Sequence, residues 1–201
     1  MVRIGLVSDS WGDAPSLARA LLALDQVGAE RTFFLGGRWA DAEAALASPL
    51  PAAAAARIGT RLVRVASRSC PERASGAAPG KAIEMVAGAL GYLVHDKADL
   101  TRDEIASATF LLHGAADAPG LVRIGPRFFV TPGRLTPASG GGGAPALPVQ
   151  AGDRAGVLVP GSWALLEVVA PRVELVVYGA DGKERIRLTE EVPPGAQVKI
   201  R

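Results

Sequence analysis

The side chains able to carry chemistry in this sequence fall just after short apolar runs. Asp9-Ser10-Trp11 follows the first run, Gly36-Gly37-Arg38 the second and Arg68-Ser69-Cys70-Pro71 the third. His95-Asp96, Gly114-Ala115-Ala116-Asp117 and Thr131-Pro132-Gly133-Arg134 follow later ones. On open α/β sheets, ligands bind beyond the carboxyl ends of the strands, so these six segments line one expected mouth. Arg38, Arg68 and Arg134 lie on three of its loops. Guanidinium groups pair in a two-pronged way with phosphate and carboxylate, so the three are expected to form an anion-binding site. Trp11 either fills space at the mouth or serves as an aromatic anchor for a partner. Cys70 is the lone cysteine, with no histidine near it in sequence to activate it. It is read as a buried thiol and not as a nucleophile. His113 is read as structural.

The elements that must position these groups alternate. Residues 3–8, 32–35, 62–66, 92–95 and 109–113 are apolar runs read as strands. Asp13 and Pro15 open a helix whose Leu17, Leu21 and Leu24 share one face. Residues 39–47 and 81–90 are read as helical, and Thr101 with Glu104 has capping-box spacing. After residue 120 the helices stop. Segments 121–124, 128–131, 162–169, 172–178 and 184–188 are read as a meander of strands joined by short turns. The fold class expected is α/β, two sheets in a β-sandwich flanked by helices. One domain over 1–201 is expected, with a flexible Gly/Pro-rich loop at about 136–155 around Gly140-Gly141-Gly142-Gly143.

Composition narrows the function. The 201 residues carry 22 Lys and Arg against 20 Asp and Glu, a net charge of +2. That balance argues against a nucleic-acid partner held by phosphate neutralisation. Hydrophobic residues at 49% with 21% charged residues match a globular chain and not a disordered one. One cysteine permits no internal disulfide. No run of about 18 uncharged apolar residues occurs, so no membrane span is expected. The N-terminus turns polar too soon for a signal peptide. A cytoplasmic location with no membrane partner is the expectation.

In order and spacing, these segments resemble the calcineurin-like metallophosphoesterase superfamily. The resemblance points to its small bacterial phosphodiesterase branch, which includes the phosphodiesterase-like retromer subunit. That family opens with Asp-x-His after its first strand, where this chain has Asp9-Ser10-Trp11. Its Gly-Asp is matched by Gly36-Gly37, and its Gly-Asn-Cys-Asp by Arg68-Ser69-Cys70-Pro71. Its His-Gly falls on His95-Asp96, and its Gly-His-x-His on Gly114-Ala115-Ala116-Asp117. Its Asn-Pro-Gly-Ser falls on Thr131-Pro132-Gly133-Arg134.

The resemblance implies an αββα sandwich and a two-metal phosphoesterase centre, but the ligand types are largely replaced. The bridging carboxylate position is Gly37, and Trp11, Ser69 and Ala115 stand where His, Asn and His are expected. Remnant ligand positions are Asp9, His95 and Asp117. Two dications about 3.5–4 Å apart need more donors than these, so no metal, no cofactor and no catalytic residue is expected. The reading is a catalytically inactive, metallophosphoesterase-like binding or scaffold module. Its expected partner is a protein or a phosphate-bearing ligand. The alternative is a weak metal-dependent phosphoesterase or phosphodiesterase using a reduced site, since three ligands and a water make a catalytic geometry elsewhere.

Overall fold

The computed structural model describes residues 1–36, 38–47, 50–135, 161–169 and 171–192. The loop expected at about 136–155, and Gly37, lie outside these residues. β1 (Val2–Val7) is the strand around which one sheet is built. Its side chains alternate between two apolar layers. Ile4 and Leu6 enter the core between the sheets, and Val7 enters the core under the helices. β2 (Arg31–Phe34) pairs with it in parallel, and β3 (Leu62–Arg64) extends that pairing. On its other side run β9 (Trp163–Val169), β10 (Arg172–Tyr178) and β11 (Glu184–Glu191), all antiparallel. The order is β11-β10-β9-β1-β2-β3.

The second sheet has five strands. β4 (Lys81–Val86), β5 (Ala89–Val94), β6 (Phe110–His113), β7 (Gly120–Ile124) and β8 (Arg127–Thr131) run in the order β4-β5-β6-β8-β7. Phe110 and Phe128 of neighbouring strands stack with centroids 5.3 Å apart and face Leu6, Phe33 and Leu166 of the first sheet. The helices α1 (Ala14–Gln26), α2 (Trp39–Ala47) and α3 (Ala52–Arg61) cover the outer face of the six-stranded sheet. The four-residue α4 (Pro71–Ala74) follows Cys70. α5 (Arg102–Ser107) has the expected capping box and is tied to the five-stranded sheet. Lys81 pairs with its Glu104, and Arg127 donates to the carbonyls of Ile105 and Ala106. The fold class is therefore as expected: α/β, with two sheets packed face to face and helices outside. No helix among the described residues is long and apolar enough to cross a membrane.

Three elements differ from the sequence expectation. Residues 81–90 are a β-hairpin and not a helix. Ala87 and Gly88 both take positive φ, +50° and +78°, and connect the paired Val86 and Ala89. A two-residue turn of that hand matches the strand twist, and it overrides the helical preference of the Ala, Lys and Met around it. The strands after residue 120 do not form one meander. β7 and β8 close the five-stranded sheet, and β9–β11 complete the other. Helix α3 lies in an alanine run for which no element was expected; Ala54 and Ile58, four residues apart, are its buried residues.

Two glycines let the sheets approach at the strand ends. A Cβ on Gly36 (φ +115°) would fall 2.0 Å from Cδ2 of His95. A Cβ on Gly114 would fall 2.2 Å from the Leu35 carbonyl and 2.3 Å from Ser8 Oγ. Backbone cannot yield as a flexible side chain can, so Gly114→Ala is expected to destabilise the protein by about 2 kcal/mol or more. A chemical denaturation curve of the variant, with unchanged slope and a lowered midpoint, checks this.

Candidate functional site

Asp9 is the centre of the mouth. It follows β1, is fully buried and adopts φ +56°, a left-handed conformation that Asp tolerates better than most residues. Its backbone N–H donates to Gly36, which ties the loop to the end of β2. His95, one residue past β5, brings Nε2 to 2.7 Å from Asp9 Oδ1. The N–H donates and the carboxylate accepts, so the ring nitrogen facing Asp9 carries the proton. The contact spans the two sheets, and Gly36 and Gly114 leave the room for the imidazole.

Arg134 supplies positive charge on the other side. Its Nε lies 3.6 Å from Asp9 Oδ2 and 3.0 Å from Asp117 Oδ1. Neither contact is a directed hydrogen bond, for Arg134 Nε and Asp9 Oδ2 are both buried without one. The attraction is between charges. The segment carrying Arg134 is stitched in place: Ser162 N–H donates to its carbonyl, Ser162 Oγ to Pro132, and Leu135 N–H to the Ser8 carbonyl.

Asp41, in the first turn of α2, holds the loop after Asp9. Its Oδ2 accepts from Ser10 Oγ at 2.6 Å and from Gly12 N–H at 2.7 Å. Between those two donors sits Trp11, half-buried at φ +46°, a strained conformation for a bulky residue. Its Nε1 is buried and meets no acceptor among the described residues. An acidic residue in a first helical turn is ordinary, so Asp41 carried no sign of this role in the sequence.

The three arginines are in different situations. Arg134 faces Asp9 and Asp117. Arg68 pairs with Asp99 at 2.6 Å, and Arg73 reaches the same carboxylate at 2.9 Å. Asp99 is held below the usual carboxylate range by those two guanidinium groups, against the opposing effect of burial. Arg38 is exposed, and its Nη1 lies beside Gly12. Cys70 is buried, and its thiol donates to Glu72. His113 is buried in β6, with Nδ1–H donating to the Gly114 carbonyl at 2.9 Å. Burial pushes it down to about 4.

No family model and no curated protein matches the sequence. Solved structures do. A predicted phosphoesterase from Streptococcus pneumoniae superimposes with TM-score 0.62 at 13% identity, covering 94% of this chain and 97% of that one. YfcE, a phosphoesterase from E. coli, gives 0.61 at 15%, covering 96% and 100%. Vps29 from Chaetomium thermophilum gives 0.59 at 16%, covering 96% and 100%.

The fold is that of the calcineurin-like metallophosphoesterases.

The residues at the mouth do not fit the two-metal centre that such a fold implies. No group of three His, Cys, Asp or Glu side chains able to hold a metal occurs among the described residues. The ring nitrogen of His95 that faces the mouth is bonded to Asp9. A guanidinium stands against both Asp9 and Asp117. Gly37 has no side chain to bridge two ions.

Two outcomes follow. Asp41→Ala removes an acceptor shared by the buried Ser10 hydroxyl and the Gly12 N–H and is expected to cost about 1–3 kcal/mol in denaturant unfolding. His113 stays neutral when folded but takes up a proton near 6.5 when unfolded. Stability is therefore expected to fall as pH drops from about 6.5 towards 4, by about one proton's worth of slope. The same titration of His113→Gln should lose that component.

Proposed function

We propose that this chain is a binding or scaffold module built on the metallophosphoesterase fold, and that it does not hydrolyse phosphate esters. The observation that carries this reading is the contact between Asp9 and His95. Of the three remnant ligand positions, Asp9 and His95 are bonded to each other, and the outer oxygen of Asp9 and the Asp117 carboxylate face a guanidinium. Phosphoester hydrolysis on such a site needs a metal-activated water and cations over the phosphoryl oxygens. Here the donors that would hold those cations are engaged within the protein.

The mouth suits recognition of a partner with acidic or phosphorylated groups. Trp11 offers a half-buried aromatic surface beside Arg38, whose guanidinium meets no carboxylate among the described residues. Arg68 is exposed, but Asp99 offsets its charge, and Arg134 is likewise offset by Asp117. Of the three arginines, Arg38 is thus the one left to meet an incoming anion, with Trp11 as the neighbouring anchor.

The test is hydrolysis of an aryl phosphodiester by purified protein incubated with manganese. The expected rate is that of a buffer blank, with fewer than two manganese ions retained per chain by elemental analysis. A rate above the blank that disappears in the Asp9→Ala, His95→Ala double variant would establish the reduced-site enzyme instead.

A further inference from the structure

We propose that β4 docks a second copy of this chain, pairing antiparallel with the partner's own β4 across a two-fold axis at Ile83. The proposal goes beyond the binding-module reading and does not depend on the mouth. β4 is the end strand of the five-stranded sheet, and among the described residues no strand pairs with its outer side. The two-residue turn makes Val86 and Ala89 a hydrogen-bonded pair, so Glu84 and Ala82 also direct their backbone groups to β5. The β5 residues opposite Met85 and Lys81 turn the other way: the carbonyls of Leu90 and Val94 accept from Thr109 and Gly114. The N–H and C=O of Lys81, Ile83 and Met85 therefore point to the open edge.

Sheet edges are ordinarily guarded by shortness, charge or cover. β3 has three residues. β11 exposes Glu184, Arg185, Arg187 and Glu191. β7 is tied to β11 of the other sheet through Arg123 and Glu190. β4 is six residues long, and its Ile83 and Met85 are 58% and 60% exposed beside the half-buried Tyr92 and Leu90. Its two charged side chains are engaged within the chain, Lys81 with Glu104 and Glu84 with Arg31. The edge therefore suits an extended strand that is apolar and brings no charge of its own, and β4 is itself such a strand.

Charge and backbone fix the register of self-pairing. Side chains of one face must meet side chains of the same face, so the axis passes through a residue paired with itself. An axis at Glu84 sets like charges directly opposite each other, which is destabilising. An axis at Ala82 brings Met85 opposite Pro79, which has no N–H to donate. With the axis at Ile83, Ile83 meets the partner's Ile83 and Lys81 meets the partner's Met85. All three outward-facing residues of each copy then find backbone partners. The two five-stranded sheets become one, and Ile83, Met85, Leu90 and Tyr92 of both copies form one apolar strip. A two-fold contact of this kind closes at two copies.

The experiment is sedimentation velocity of the full chain. A monomer–dimer equilibrium is expected with Kd on the order of 10 μM, as suits an interface at the small end of the range. Ile83→Lys and Ile83→Glu should each weaken it at least about ten-fold, and mixing the two variants should restore it, because position 83 faces itself. Ile83 is exposed, so both variants should keep the wild-type thermal midpoint at a concentration where every chain is monomeric. If either loses its fold, Ile83→Thr carries the comparison. Ile83→Cys should form a disulfide-linked dimer on air oxidation, since opposed Cα atoms of a hydrogen-bonded pair stand about 5.5 Å apart. Wild type and Glu84→Cys should stay as single chains.

A wild type that stays monomeric well above that concentration would overturn the proposal and leave the edge to an extended peptide of another protein. So would assemblies that grow past two copies, which would indicate head-to-tail pairing of β4 with β7. Charge variants that associate as the wild type does, a mixture that does not recover, or equal cross-linking of Glu84→Cys would also overturn it. Failure of the binding-module reading would instead show as hydrolysis by the wild type.

Discussion

A carboxylate with no access to water is the constraint on which the mouth of this protein depends. Asp9 is fully buried in a left-handed backbone conformation at the end of β1. Burying a charge costs several kcal/mol unless partners replace the lost water. The neighbouring features supply those partners. His95 comes from the second sheet, Arg134 comes from the segment after β8, and Gly36 and Gly114 clear the space that the imidazole needs. Asp41 holds the loop that Asp9 begins.

The same contacts join the two layers. Asp9 belongs to the six-stranded sheet and His95 to the five-stranded one, and the apolar core between them sets their separation. A shift of one sheet over the other would break the Asp9–His95 bond before it disturbed most of the core. The ion cluster at the mouth and the packing of Phe33, Phe110 and Leu166 are therefore mutually dependent.

The mouth of this fold is shaped by its backbone as well as by its charged side chains. Asp9, Gly36 and Gly133 take positive φ, and close packing leaves no room for a Cβ at Gly36 or Gly133. At the centre of the mouth His95 is bonded to one oxygen of Asp9, the Arg134 guanidinium faces the other, and a tryptophan occupies the loop between Ser10 and Gly12.

The order of apolar runs determined the α/β class, most strand positions, the capping box at Thr101 and the segments that meet at the mouth. Those signals are local: strand runs, caps and turns are written in neighbouring residues. The 81–90 hairpin escaped because a two-residue turn outweighed a helix-prone composition. The division of the late strands between two sheets is a matter of pairing partners, which no local pattern encodes. The site was legible as positions but not as bonds. Sequence placed Asp9, His95, Asp117, Arg68 and Arg134 on adjoining loops. Tertiary structure alone decided that His95 and Arg134 serve Asp9, that Arg68 serves Asp99, and that Asp41 holds the first loop. Pairing of charges depends on distances of a few ångströms between residues up to 125 positions apart, and those distances exist only once both sheets are packed.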